Sequence, residues 1–282
     1  MAEQKVTVSV EWLAEHLNDD QLVIIDGSWH LPPEGRDAHA EYLAGHIPGA
    51  VFFDLDKHSD QESKLAHMMP SAEQFAQEMG ALGISDQNTI VVYDTAGLFS
   101  AGRIWWMFRH FGAANTFVLD GGLPAWTSAG HALESGPVSR SAAQFTASGR
   151  GDRVVDIDAV LATIESDGGP TLLDARGPGR FSGAEPEPRA GLKSGHMPGA
   201  VNLHYGSLVD SEKKLLSADG IRARLEEAGY DPTTPAIATC GSGVTACVIL
   251  LALTKIGHDH GKLYDGSWSE YGAHADAPIE TG

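Results

Sequence analysis

Short apolar runs punctuate this chain, and most end in an aspartate. Leu22–Gly27 reads LVIIDG, Thr89–Asp94 TIVVYD and Phe117–Gly122 FVLDGG; then come Thr171–Arg176 (TLLDAR), Ala236–Cys240 (AIATC) and Lys262–Ser267 (KLYDGS). The runs are nearly continuous rather than alternating, which is the pattern of strands covered on both faces. Segments with helical spacing lie between them. Pro70–Gly83 has Ser71 at its start, Gln74 three residues on, apolar positions at Phe75, Met79 and Leu82, and Gly83 as a stop. That spacing predicts a capped amphipathic helix. Phe99–Gly112 and Gly243–Gly257 are each closed by glycine and read as matching buried helices. Strands alternating with helices predict an α/β fold of parallel sheets flanked by helices on both faces.

The pattern is written twice. Gly45–Val51 (GHIPGAV) recurs as Gly195–Val201 (GHMPGAV), and the three strand-like runs of the first half return in the same order in the second. Agreement of order and spacing at several places marks a duplicated domain, and 282 residues suit two domains. The predicted division is an N-terminal domain over 1–135, a linker over 136–152 and a C-terminal domain over 153–282. The stretch Glu134–Asp152, ESGPVSRSAAQFTASGRGD, is rich in Gly and Ser, as a connection should be.

Charge narrows the partners. A formal net charge of -19 speaks against nucleic acid, whose phosphates attract Lys and Arg clusters. An anion site in such a chain has to be built locally. Met1–Trp12 has no apolar core of signal-peptide length, and the longest greasy stretch, Val244–Leu253, is too short to span a bilayer. No membrane association is therefore expected. Two cysteines make no disulfide framework, which points to a reducing cytoplasm.

One cysteine stands in a chemically suggestive place. Cys240 follows an apolar run and opens Cys240–Ala246 (CGSGVTA), which leads into the Gly243–Gly257 helix. The carboxyl end of a parallel strand is where such sheets place ligands. Glycines let successive N–H groups turn inward as a nest for an anion, and the nest and the helix's positive end together favour a thiolate at Cys240. Cysteine phosphatases use a similar loop with an arginine six places after the nucleophile. Here that place is Ala246, so phosphate chemistry is not expected. Cys247 is expected to pack in the helix. No Cys/His cluster of ligand spacing is visible, so no metal or other cofactor is expected.

The tandem copies, the GHxPGAV segments and the Cys240 loop resemble the rhodanese superfamily of sulfurtransferases. The resemblance runs from about Trp12 to Tyr271 and takes in FFDLDKHSD, FSAGRIWWMFRHFG and YDGSWSEYG. The loop CGSGVTA is similar to that of the 3-mercaptopyruvate sulfurtransferases, whereas thiosulfate-type members tend to carry basic residues after the cysteine. The resemblance implies an inactive first domain, with Asp94 in the place of Cys240, packed on an active second domain. It implies that the Cys240 thiolate takes sulfur from 3-mercaptopyruvate and releases pyruvate. A persulfide then sits in the loop of Gly241, Gly243, Val244 and Thr245. The sulfur passes to a thiol such as reduced thioredoxin, or to cyanide.

Two further groups follow from the resemblance. Arg180 and Arg189 match its substrate-binding arginines, although from the residues alone a surface ion pair is the safer reading of each. A Ser-His-Asp relay falls on Ser242, His46 and Asp37. His196 fills the place of His46 in the second copy, so that histidine reads as well as a fold residue. The competing readings are a thiosulfate:cyanide sulfurtransferase on the same scaffold and a non-catalytic sulfur-carrying or protein-binding module.

Overall fold

The computed structural model describes residues 2–149, 151–166 and 168–282. Each of the six short apolar runs becomes a strand. The first half holds β1 (Thr7–Val8), α1 (Val10–His16), β2 (Leu22–Asp26), α2 (Ala38–Ala44), β3 (Val51–Phe52), α3 (Ala72–Ala81), β4 (Thr89–Tyr93), α4 (Ala101–His110), β5 (Thr116–Leu119) and α5 (Gly122–Ser128). The second half holds β6 (Val154–Val155), α6 (Ile157–Glu165), β7 (Thr171–Asp174), α7 (Pro178–Ser182), β8 (Val201–Asn202), α8 (Ala218–Glu227), β9 (Ala236–Thr239), α9 (Ala246–Lys255), β10 (Lys262–Tyr264) and α10 (Ser267–Tyr271).

The strands form two parallel five-stranded sheets of identical topology, β1-β5-β4-β2-β3 and β6-β10-β9-β7-β8. In the central pairs, Leu22 to Asp26 lie opposite Thr89 to Tyr93, and Thr171 to Asp174 lie opposite Ala236 to Thr239. Asp94 and Cys240 therefore leave their sheets at equivalent points.

Local signals agree with the fold. Ser71 Oγ accepts the Gln74 N–H at 3.1 Å and caps α3. Gly83 ends the segment at φ +75, where a β-carbon would meet Ser141 O at 2.6 Å.

Two largely buried helices, α4 and α9, pack on each other across the seam between the halves. A β-carbon at Gly102 would lie 3.2 Å from Val248 Cγ2 and 3.3 Å from Val248 N. Glycine there lets the helix starts approach closely. One hydrophobic core runs through the seam, with Ile104 and Phe108 on one side and Val248 and Leu251 on the other. The helix starts bring with them the two loops that precede them, so any site at the Cys240 loop is walled by both halves.

The predicted linker is tied down where it is described; Arg150 lies outside the described residues. Residues 136–149 hold no helix or strand, yet Ala143 donates to Gly80 O, Ser148 to Phe111 O and Thr146 to Asp86 Oδ1. Phe145 is buried against Phe75 and Phe108. Composition alone suggests a loose connection; one buried aromatic makes it a strap on the first half.

Among the described residues, no helix is long and apolar enough to cross a membrane.

Candidate active site

The Cys240 loop is held from behind. Ser267 Oγ accepts the Cys240 N–H at 3.2 Å, while the carbonyls of Cys240 and Gly241 accept the N–H groups of Trp268 and Ser269, each at 2.9 Å. The loop carbonyls are thereby engaged by α10. Among the described residues, the amides of Gly241, Ser242, Gly243, Val244 and Thr245 have no acceptor in the protein. Gly243 turns the loop at φ +75. The result is an anion nest beside a 2% exposed cysteine.

The first half shows what such a nest holds. Asp94 accepts the N–H groups of Ala96 at 3.0 Å, Phe99 at 2.7 Å and Ala101 at 2.9 Å. Burial raises its pKa, and those amides oppose the rise. The first loop fills its nest with its own carboxylate. The second places a small thiol, that of Cys240, there and leaves its donors open.

A cavity of about 190 Å³ lies over the second loop. Trp29, Leu31 and Phe99 wall it from the first half; Arg180, Arg189, His204, Tyr205, Gly241, Ser242, Val244 and Thr245 line it from the second. A β-carbon at Gly241 would lie 3.1 Å from Arg180 Nη2 and 3.7 Å from Arg189 Nη1, so both arginines sit over the loop. Gly243 faces away, toward Arg103 and Asp265.

The arginines differ in their freedom. Glu187, whose side chain is 2% exposed, bridges Arg180 and Arg176, and Arg176 also pairs with Asp174 at 2.6 Å. Arg176 stacks 4.0 Å over the Trp268 ring. Arg189 has no carboxylate within ion-pair distance among the described residues, and its Nη2 reaches Ser242 Oγ at 3.4 Å. Burial lowers its pKa from the usual value, with the Cys240 sulfur acting in the opposite direction.

Ser242 meets a histidine, but not His46. His67 Nδ1 lies 2.9 Å from Ser242 Oγ, and His67 Nε2 lies 2.9 Å from Asp56 Oδ1. A carboxylate only accepts, so Nε2 carries a proton, and in the neutral ring Nδ1 accepts from the serine hydroxyl. The bond from His67 holds Asp56 below the usual carboxylate range, despite some desolvation, and the Trp29 indole adds a second at 3.1 Å. His67 has φ +65, a left-handed conformation uncommon for a side-chain-bearing residue.

His46 and Asp37 are elsewhere. His46 Nδ1–H donates to Tyr42 O at 2.8 Å, and the ring stacks on Tyr42. His196 does the same with Phe181 O at 2.8 Å. Each histidine pairs its backbone with a glutamate, Glu134 or Glu280, and ties the GHxPGAV segment to the end of its own domain. Asp37 is exposed and caps α2 by accepting the Ala40 N–H. A signal for His67 and Asp56 does exist in the sequence. At the same distance after the repeated motif, the second copy has Gly206 in place of Asp56 and Ser217 in place of His67. A single site calls for residues in which the copies differ.

Cys247 is fully buried in α9, its Sγ 3.3 Å from Gly243 O, and burial pushes its thiol up to about 12 with Arg103 opposing.

With this geometry in place, comparison with known proteins places the chain. The rhodanese-like domain family model matches residues 9–129 and again 157–274. The 3-mercaptopyruvate sulfurtransferase of Escherichia coli K12 is 44% identical over 97% of both chains. Its Homo sapiens counterpart is 41% identical over 95% of this chain and 92% of its own. The thiosulfate sulfurtransferase of Bos taurus is 40% identical over the same shares. The crystal structure of the Escherichia coli 3-mercaptopyruvate sulfurtransferase SseA superposes with a TM-score of 0.86 at 41% identity, covering 95% of this chain and 100% of that one. The chain belongs to the rhodanese family of sulfurtransferases and carries two of its domains in tandem.

Proposed function

We propose that the protein transfers sulfur from 3-mercaptopyruvate through a Cys240 persulfide to a thiol acceptor. The observation that carries this reading is a cysteine in an open amide nest, beneath one arginine that has no carboxylate partner among the described residues, and beside a Ser-His pair. Arg189 takes the substrate carboxylate, with Arg180 alongside. The Cys240 thiolate attacks the substrate sulfur, the carbon–sulfur bond breaks, and its electron pair passes to the departing carbon as the pyruvate enolate. The substrate's thiol proton must move from sulfur to that carbon. Ser242 and His67 are the groups placed to move it, with Asp56 holding the imidazole. Pyruvate leaves, and the persulfide anion rests on the amides of Gly241 to Thr245. A thiolate acceptor, such as that of a reduced thioredoxin, then attacks the outer sulfur and restores Cys240. A reducing compartment, the cytoplasm, suits that second half-reaction.

Relatives named for thiosulfate stand at similar identity, so the donor is decided by the site. Thiosulfate is a dianion with both charges beside its transferred sulfur, and the loop holds no Lys or Arg within Cys240–Cys247. The test is pyruvate release from 3-mercaptopyruvate against thiosulfate turnover, with mass spectrometry of Cys240. Thiosulfate used the more efficiently, or no added sulfur on Cys240, would overturn this reading.

A further inference from the structure

Arg103 belongs to α4 of the first half and is fully buried. Its Nη1 lies 2.7 Å from Asp265 Oδ1 of the second half, an ion pair rather than an aligned hydrogen bond. Desolvation works against its charge, but Asp265 and the Cys247 sulfur together more than offset that, so its pKa stands above the usual value. A buried pair of this kind is weak as a stabiliser in itself, since the desolvation of both charges has to be recovered. What the pair touches is more informative. Arg103 Nη2 donates to the backbone carbonyl of His67, and Nη1 reaches Gly243 O at 3.4 Å. Asp265 Oδ2 accepts the Met69 N–H at 2.6 Å.

The two charges therefore grip the two peptide units on either side of Met68, through the His67 carbonyl and the Met69 N–H, and the Gly243 carbonyl of the Cys240 loop. The gripped segment holds the left-handed His67, a conformation that persists only where surroundings enforce it. We propose that Arg103 and Asp265 are positioning residues for sulfur transfer. They lock the His67 backbone against the Cys240 loop, so that an imidazole from one domain meets the hydroxyl of Ser242 in the other. This rests on the reading of His67 and Ser242 as the proton relay.

The two half-reactions separate positioning from mere support. Taking sulfur from 3-mercaptopyruvate moves a proton from sulfur to carbon. Discharging the persulfide to cyanide forms thiocyanate and frees the Cys240 thiolate with no proton transfer. Arg103→Lys keeps a charge beside Asp265 but lacks the fork that also reaches the His67 carbonyl. In single turnovers it should slow pyruvate formation by about tenfold or more, while cyanide discharge changes by less than about threefold. In a His67→Gln background the same substitution should change pyruvate formation by less than about threefold, because the group it positions is gone. Equal losses in both half-reactions would overturn the inference, as would an undiminished loss in the His67→Gln background. If His67→Gln alone leaves pyruvate formation unchanged, the relay reading itself fails and takes the inference with it. Should Arg103→Lys not fold, Asp265→Asn, which keeps an oxygen for the Met69 N–H, carries the same test with the same outcomes.

Discussion

His67 Nδ1 and Ser242 Oγ lie 2.9 Å apart although the residues belong to different domains, 175 positions apart in the chain. Neither domain alone assembles this pair. The first domain, which has Asp94 where the second has Cys240, contributes the histidine, its aspartate and part of the cavity wall. Duplication here leaves two copies that divide one site between them.

His67→Gln and Ser242→Ala should each slow pyruvate formation by about a hundredfold or more, the usual scale of general acid–base assistance. Thiosulfate needs no proton moved, so sulfur uptake from it should change little. His46→Gln should leave both rates per folded molecule unchanged and lower stability by about 1–2 kcal/mol, through loss of the bond to Tyr42 O. Parallel rate measurements and urea melts decide the matter; a His46 variant with full stability and no turnover would restore the rejected assignment.

Arg189→Ala should reduce kcat/KM for 3-mercaptopyruvate by about ten- to a hundredfold, the effect of losing a charge-assisted bond of about 1.5–3 kcal/mol. Arg180 already shares Glu187, so Arg180→Ala should cost less in the ground state while disturbing the Glu187 bridge. Steady-state kinetics on both variants would show the order. A larger loss at Arg180 would mean that the bridged arginine is the one that grips the carboxylate.

The sheets, the buried helices and the place of the cysteine loop were legible because each is a local pattern: a run, a cap, a stop, or a cysteine followed by glycines. Arg180 and Arg189 were legible by resemblance, and the structure brings both over Gly241. His67 was not. Its segment, residues 53–70, has no helix or strand, so no period marks which side chains turn inward. Its partner lies across a seam that no spacing rule describes. His46 stood out because it belongs to a repeated motif, and repetition reports what each domain needs to fold. Phe145 escaped notice for a related reason: a lone aromatic in a Gly- and Ser-rich stretch carries no pattern, yet it anchors the strap.

Cys247 should make the fold sensitive to alkali. Its thiol is pushed up to about 12 from an ordinary 9.0. Between those values the unfolded chain gives up the proton and the folded chain keeps it, so stability falls as pH rises. At pH 10 this one group removes about 1.4 kcal/mol. Urea melts of Cys247→Ala should therefore lose less stability between pH 8 and pH 10 than the parent, by about that amount. Identical slopes would show that the thiol ionises within the fold.

Charge balance in the cavity should set donor choice, and Glu187 is the residue that tunes it. Three guanidiniums, Arg176, Arg180 and Arg189, face two carboxylates, Asp174 and Glu187, which leaves one positive charge, that of Arg189, over the Cys240 thiolate. One charge matches the single carboxylate of 3-mercaptopyruvate and under-serves a dianion. Glu187→Gln keeps the side-chain shape and frees Arg180, while Arg176 retains Asp174 at 2.6 Å. The buried guanidinium is thus not stranded, and the variant should fold, less stable by about 1–3 kcal/mol. An added unit of charge at about 5 Å and an effective dielectric of 20 attracts a second negative charge by roughly 3 kcal/mol. Desolvation and rearrangement should leave about 1–2 kcal/mol of that. The ratio of kcat/KM for thiosulfate over 3-mercaptopyruvate should therefore rise by about five- to thirtyfold. Both constants, measured on the same folded preparation at one ionic strength, test this directly. An unchanged ratio would mean that the cavity selects its donor by shape or by the proton relay rather than by net charge.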